Sequence, residues 1–194
     1  MATPPSEANK KIAQDVRAVF DGQSFKVINY LDKDEKSEIY VLHSTETPGQ
    51  GLISYCTIGL SDYPDDGFEV TPPLGVEIIA VSNLPEFGEV VSTAAFCVIN
   101  SGYKARPGGA FPGVVKLHHP DTTVPNLMFV QPYLWGEQSF TSRTYDGKTV
   151  AWLQAVPISD AETQYLLDHG ADALNELFEQ HDPDFIDLQR DSVV

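Results

Sequence analysis

The stretches GLISYCTIGL (residues 51–60) and VEIIAVS (76–82) are short runs of β-branched, aromatic and other apolar residues. The segment between them, SDYPDDGFEVTPPLG (61–75), is rich in proline, glycine and aspartate. Apolar runs of this length, bounded by turn-forming residues, predict two buried strands joined by a loop. Two further strands are predicted upstream, SFKVINYL (24–31) and EIYVLHST (38–45), and the charged stretch DKDEKS between them predicts a hairpin loop.

Apolar residues at helical spacing predict helices on both sides of these strands. Residues 6–19 predict a short amphipathic helix, and residues 86–100 predict a longer one with a broad apolar face. Nearer the C-terminus, Ser159 and Glu162 have the spacing of a capping box, which predicts a third helix that ends at Gly170. The apolar face of a fourth predicted helix consists of Leu174, Leu177 and Phe178.

Additional strands are predicted between the second and third helices. PGGAFPGVVKLH (107–118) predicts a glycine-rich turn that leads into a short strand, and NLMFVQPYLW (126–135) predicts a strand interrupted by a proline. The Asp-Gly dipeptide at 146–147 predicts a hairpin turn between SFTSRTY (139–145) and TVAWLQAVPI (149–158).

The order of these segments predicts an α+β fold, a mostly antiparallel or mixed β-sheet flanked by three to four helices in a single domain. Residues 1–24 are expected to form an N-terminal helix leading into the domain, and residues 25–194 to form its compact unit. A chain of 194 residues buries roughly 70% of its unfolded surface, so it needs no disulfide or metal to hold it together. Cys56 and Cys97 both lie in apolar runs and are expected to be free thiols.

The net charge limits the classes of partner. Twenty-eight acidic residues against twelve basic ones leave a formal charge of −16. Such a field repels phosphate backbones and anionic lipid surfaces, so we expect neither a nucleic acid nor a membrane as partner. It attracts basic proteins and accelerates their association at low salt. The alternative is that the acidity only keeps the protein soluble.

The acidity is concentrated near the C-terminus. No lysine or arginine occurs between Lys148 and Arg190, a stretch that contains nine acidic residues. Several of these fall on the polar side of the two predicted C-terminal helices, where they predict an uncompensated negative surface, either a solvated helix face or a docking face for a basic protein. The candidate partner-binding residues are Asp172, Glu176 and Glu179, with a second acidic loop that contains Asp62, Tyr63, Asp65 and Asp66.

Motifs that carry known chemistry are missing from the sequence: it contains no nucleotide-binding, serine-hydrolase or metalloprotease signature. We therefore expect no catalytic residue, cofactor or metal, and the favoured role is protein binding rather than catalysis. An enzyme site built from scattered residues would draw on His118, His119, Asp121, Tyr55 and Asp62. The N-terminus has no apolar stretch typical of a signal peptide, which favours the cytoplasm, and we expect a monomer or a weak homo-oligomer.

Several blocks of the sequence together resemble one protein family. SYCTIGLSDYP (54–64), VEIIAV (76–81), a helix ending in FCVIN, then PGVVKL, LMFVQPYLW, AWLQAVPISDAETQYLLDHG and the closing DLQRDSVV have the order and spacing of suppressor-of-fused-like domains. The resemblance covers roughly residues 25–194. Its most specific parts run from Tyr55 to Leu60 and from Val156 to Gly170.

The resemblance implies a binding function. Animal members of the family hold a zinc-finger transcription factor of the hedgehog pathway, in part by adding a peptide strand to a sheet, but they use an additional C-terminal region for this, so that partner is not carried over. Short bacterial members resemble antidotes in polymorphic toxin systems, which implies a bacterial immunity protein that binds and neutralises a toxin domain. The alternative is a regulatory or scaffold protein with an unknown partner.

Overall fold

Residues 5–64, 74–136 and 139–194 are described by a computed structural model, and they form four α-helices and one sheet of eight strands. The helices are α1 (Glu7–Phe20), α2 (Phe87–Ser101), α3 (Asp160–His169) and α4 (Ala171–His181). The strands are β1 (Phe25–Leu31), β2 (Glu38–Thr45), β3 (Ile53–Ile58), β4 (Leu74–Ser82), β5 (Ala110–Phe111), β6 (Asn126–Val130), β7 (Arg143–Tyr145) and β8 (Lys148–Ile158). Within these described ranges, no helix is long and apolar enough to cross a membrane.

The sheet is mixed. Its order is β1-β2-β3-β4-β8-β6-β5, and β7 pairs with β8 off this path. Strands β1 to β4 form an antiparallel meander, β4 and β8 run parallel, and β8, β6 and β5 are again antiparallel. The predicted α+β class and mixed sheet are confirmed.

The helices cover the two faces of the sheet separately. In β3, Tyr55 belongs to the core cluster beneath α2, whereas Cys56 and Ile58 belong to the cluster beneath α1, as the two-residue period of a strand requires. Helices α3 and α4 lie on the same face as α1 but at the other end of the sheet, over apolar residues of β6 and β8. Cys56 is buried under α1 and Cys97 lies on α2, so both are free thiols, as expected.

Local sequence signals set most element boundaries. The Ser6 hydroxyl accepts a hydrogen bond from the Asn9 N–H and caps α1, and the Ser159–Glu162 capping box begins α3 as predicted. The Asp146-Gly147 turn has φ values of 44° and 90°, the positive values that an Asp-Gly hairpin turn adopts, and it joins β7 to β8 as predicted.

Four predicted strands are markedly shorter than expected. Strand β3 covers Ile53–Ile58 instead of residues 51–60. In the segment 107–118, only the two residues of β5 form a strand, and the rest continues as turns. Val114 and Val115 are buried in these turns without pairing to a strand, and the Val115 N–H donates a hydrogen bond to the Pro125 carbonyl. Strand β6 ends at Val130, before the proline, and β7 has three residues instead of seven. In the predicted loop 61–75, a 3₁₀ helix occupies Leu60–Asp62 and β4 already begins at Leu74.

The buried His43 gives the fold a pH dependence. Its ring is only 2% exposed, lies edge-on to Tyr55 at 4.7 Å and has its Nε2 3.3 Å from the Tyr30 hydroxyl. Burial, and then the charge of Lys26, lower the pKa of His43 from 6.5 to about 4. Between these values only the unfolded chain binds the proton, so stability is complete above pH 6.5 and falls as the pH drops toward 4.

We expect the wild type to lose about 2 kcal/mol between pH 7 and pH 4.5 through this histidine. His43→Gln should remove that part of the slope, although the variant is less stable at pH 7. Urea unfolding of both proteins across this pH range measures the difference. Parallel curves of stability against pH for the two proteins would show that the pKa of His43 is not lowered in the folded state.

Candidate partner-binding surfaces

Helix α4 presents one apolar and one acidic side. Gly170, at φ 87°, ends α3 and lets the chain start α4 at once, so the two helices pack against each other over the sheet. Leu174 and Phe178 point into the core, as predicted, whereas Leu177, the third residue of the predicted apolar face, is only half-buried. Spacings of four and three residues place three exposed acids together on the opposite side of α4, which we call the α4 acidic face: Asp172, Glu176 and Glu179.

The α4 acidic face is electrostatically uncompensated. None of its three carboxylates forms a salt bridge with any described residue, and the only potential cation on α4 itself is His181 in its last turn. Other acids of the C-terminal run have internal partners. Asp160 accepts a hydrogen bond from the Asn126 side-chain amide, and Asp184 and Asp187 accept bonds from nearby backbone N–H groups.

Glu162 does not belong to the predicted uncompensated surface. Its side chain is fully buried and forms a two-pronged ion pair with Arg190, with both nitrogen–oxygen distances at 2.7 Å. Arg190 also donates to the Pro157 carbonyl, and Glu162 accepts the Val193 N–H. Arg190, the next lysine or arginine after Glu162 along the chain, thus folds back to neutralise the acid, and the pair fastens the C-terminal segment to the start of α3.

The hydrogen bonds decide the ionisation of Glu162. Burial alone raises the pKa of its carboxyl, but the bonds from Arg190 and from the N–H groups of Ser159 and Val193 outweigh burial and lower that pKa below its ordinary value. Glu162 is therefore a carboxylate throughout the neutral range.

A second group of candidate residues lies at the 3₁₀ helix that follows β3. The Asp62 carboxylate accepts bonds from the Lys148 ammonium and, at 2.8 Å, from the Asn9 side-chain amide, so it connects α1, β8 and this turn. Tyr63 is 46% exposed and borders a cleft shared with Tyr103. Asp65 and Asp66 lie outside the described residues.

A buried carboxylate supports this turn from below. Glu77 of β4 is inaccessible to solvent, and its two oxygens accept five hydrogen bonds of 2.6 to 3.2 Å. The donors are the hydroxyls of Thr57 and Ser61 and the N–H groups of Gly59, Leu60 and Ser61. Burial raises the pKa of Glu77, and these donors only partly oppose it. A single acid inside the apolar run VEIIAV was the available sequence signal for such a site.

The residues considered for a scattered enzyme site do not converge. Tyr55 is fully buried, and its hydroxyl donates to the Leu84 carbonyl at 2.6 Å. Asp62 contacts α1 on one face of the sheet, whereas His118 contacts α2 on the other. The His119 ring packs against Phe87 at 6.4 Å.

His118 has local partners instead. Its Nε2 lies 2.8 Å from the Thr93 hydroxyl and its Nδ1 lies 3.4 Å from the Glu89 carboxylate. Burial lowers the pKa of His118, and the neighbouring Glu89 only partly raises it again. These contacts attach the turn segment after β5 to α2, along a groove of about 710 Å³ between α2 and the β1–β2 loop.

The fold and the sequence together define the class of protein. The profile of the Suppressor of fused protein (SUFU) family matches residues 34–191, and the chain belongs to this family. The immunity protein YqcF of Bacillus subtilis (strain 168) is 38% identical to it over 192 residues, which is 97% of this chain and 98% of YqcF.

Solved structures share the fold at low sequence identity. A SUFU homolog of Neisseria gonorrhoeae FA 1090 superposes with a TM-score of 0.74 at 18% identity, covering 97% of both chains. A chain of the Sufu–Fu complex superposes with a TM-score of 0.68 at 16% identity, covering 98% of this chain and 93% of that one. Suppressor of Fused of Drosophila matches with a TM-score of 0.66 at 16% identity, and this chain spans 52% of its length.

Proposed function

We propose that the protein is a bacterial immunity protein that binds and neutralises a toxin domain in the cytoplasm and catalyses no reaction. The observation that carries this proposal is the 38% identity to the immunity protein YqcF over nearly the whole of both chains. The scattered positions of the catalytic candidates support binding over catalysis.

The charge distribution supports a basic toxin. With a net charge of −16, the protein attracts a cationic domain from a distance, and the α4 acidic face supplies carboxylates that form no salt bridge within the part of the chain that the structure describes. Complementary potentials of this kind raise association rates and help to select a partner. The acidic loop residues Asp62, Tyr63, Asp65 and Asp66 are proposed as a second contact region.

The function is tested with the genes that neighbour this one. Each neighbouring product, or its C-terminal domain, is expressed in Escherichia coli with and without the immunity protein. We expect one of them to arrest growth alone, to be tolerated on co-expression and to copurify as a complex. Growth arrest that co-expression never relieves, with no complex formed by any neighbouring product, would contradict the proposal.

The contribution of the α4 acidic face is tested by charge reversal. Replacing Asp172, Glu176 and Glu179 with lysine should lower the association rate at least tenfold at low salt, because steering depends on opposite charge, and the difference should shrink as salt screens the charges. A control variant reverses three exposed acids outside α4, Glu7, Asp34 and Glu86, and changes the net charge equally. Surface plasmon resonance measures both; equal rates for the two variants would place the contact elsewhere.

A further inference from the structure

Strand β1 is a long open edge of the sheet. It pairs with β2 along its whole length, from Phe25 opposite Ser44 to Leu31 opposite Glu38, and no strand of the described part lies on its outer side. The opposite edge, β5, is only two residues long. Edge strands are usually protected by prolines, bulges or several charges, whereas β1 has a continuous register, no proline and a single lysine.

The flanking hydrogen bonds show which backbone groups of β1 are free to pair outward. The Thr45 N–H donates to the Ser24 carbonyl, and the Asp32 N–H donates to the Ser37 carbonyl. Hydrogen-bonded pairs alternate in an antiparallel ladder, so the even-numbered residues of β1 bond to β2. The N–H and C=O groups that point outward are those of Phe25, Val27, Asn29 and Leu31.

The same register leaves an apolar strip along this edge. Phe25, Val27 and Leu31 point to the face that α1 covers, yet they remain 46%, 47% and 52% exposed. Each of them lies where side chains of an added strand would pack. An unpaired ladder with alternating exposed apolar side chains has the features of a strand-addition site.

We propose that β1 pairs antiparallel with β1 of a second copy of this chain, joining the two sheets across a twofold axis. Centring the axis on Ile28 pairs all seven residues. Phe25 then lies opposite Leu31 of the other copy, and Val27 lies opposite Asn29. Both are pairs of outward-facing residues, so the ladder is self-complementary, as a twofold interface requires.

The local charge permits this contact despite the high net charge. From Arg17 to Glu38 the chain has four basic and five acidic residues, so the edge is nearly neutral. The α4 acidic face lies over β6 and β8, four to five strands away, or about 20 Å from the edge. That distance exceeds the screening length of about 8 Å, so the two acidic faces do not oppose pairing at physiological salt.

A polar contact on the α2 side adds to the pairing. In this register Lys26 of one copy lies opposite Tyr30 of the other, on the face where the 710 Å³ groove opens. Tyr30 and Glu89 both line that groove. In the proposed dimer, Lys26 of one copy thus lies on the same side of the sheet as the Glu89 carboxylate of the other.

The dimer is tested by sedimentation equilibrium of the full chain over roughly 1 µM to 1 mM, a range suited to a small interface. We expect a monomer–dimer equilibrium that Val27→Lys weakens about tenfold, because the change enters the interface twice. Leu167→Lys, at a 74% exposed position on α3, is the matched control and should leave the equilibrium unchanged. A monomer at every concentration, or a dimer that Val27→Lys does not weaken, would overturn the proposal.

Cysteine crosslinking tests the register. In a Cys97→Ser background, Ile28→Cys places two thiols across the axis, within the 4.4–6.8 Å Cα separation typical of disulfides. Leu31→Cys places them about 20 Å apart. We expect Ile28→Cys to give a reducible dimer on mild oxidation and Leu31→Cys to give little. Thermal melts identify any variant that is unfolded, and faster crosslinking of folded Leu31→Cys would exclude this register. The outcome is independent of toxin binding.

Discussion

Replacing Arg190 with methionine is expected to destabilise the protein by about 3–5 kcal/mol, because Glu162 then remains buried without its counter-ion. The guanidinium lies 5.2 Å from the Phe185 ring, a contact that methionine can partly keep, so most of the loss is electrostatic. For a chain of this length, that loss lowers the melting temperature by about 10 °C. Urea unfolding followed by circular dichroism measures the change.

A second variant separates the charge from the packing. In Glu162→Gln with Arg190→Met, no charge stays buried, so we expect it to recover more than half of the stability that Arg190→Met loses. The exposed pair of Lys10 and Glu7 has the same 2.7 Å separation, and Lys10→Met should change stability by less than about 1 kcal/mol. Equal losses for Lys10→Met and Arg190→Met would show that burial adds nothing to the ion pair.

The ion pair also has a pH signature. Because the folded-state pKa of Glu162 is lowered, its contribution is complete above the ordinary pKa of 4.5 and is lost as the pH falls through the folded value. The stability difference between the wild type and the double variant should therefore shrink in acid.

Hydrogen exchange should also be faster near the C-terminus of Arg190→Met, since the ion pair of Glu162 and Arg190 holds the Val193 N–H.

The sequence predicted those parts of the fold that local chemistry controls. The capping box at Ser159 begins α3 and the turn at Asp146-Gly147 ends β7, and each depends on residues within a few positions of one another. The spacing of apolar residues also predicted which side of α4 is buried. The acidic side of α4 therefore follows from the sequence.

Contacts between distant residues could not be predicted in the same way. Strands β4 and β8 pair in parallel although Leu74 and Thr149 are 75 positions apart in the sequence, and no local pattern encodes that neighbour. Glu162 belongs by sequence to an acidic run, and only the return of Arg190 from 28 residues away removes it from the surface. Val114 and Val115 have strand-forming side chains, yet turns bury them equally well.

Glu77 provides the second large expected effect, because every group that faces it is a hydrogen-bond donor in that contact. A carboxylate only accepts, which suits five donors, whereas glutamine must present an NH2 group to some of them. The hydroxyls can rotate, but the Leu60 N–H, 3.2 Å from one oxygen, cannot. We expect Glu77→Gln to cost about 2–3 kcal/mol and Glu77→Leu to cost more, since leucine leaves all five donors without their acceptor.

The damage should be local before it is global. A Cβ added at Gly75 would lie 2.4 Å from the Ser61 carbonyl oxygen. Strand β4 is therefore already in close contact with the turn that Glu77 holds. Glu77→Gln should therefore loosen the Leu60–Asp62 turn, seen as faster hydrogen exchange of the Leu60 and Ser61 amides. Glu179→Gln, on the exposed side of α4, is the control and should change neither the stability in urea nor the hydrogen exchange of the turn. The pH trend of Glu77 opposes that of Glu162: because the pKa of Glu77 is raised in the folded state, the wild-type protein gains stability from this group as the pH falls through the folded value, a gain that Glu77→Gln lacks. If Glu77→Gln matches the wild type in urea and in exchange, the five hydrogen bonds do not stabilise the turn.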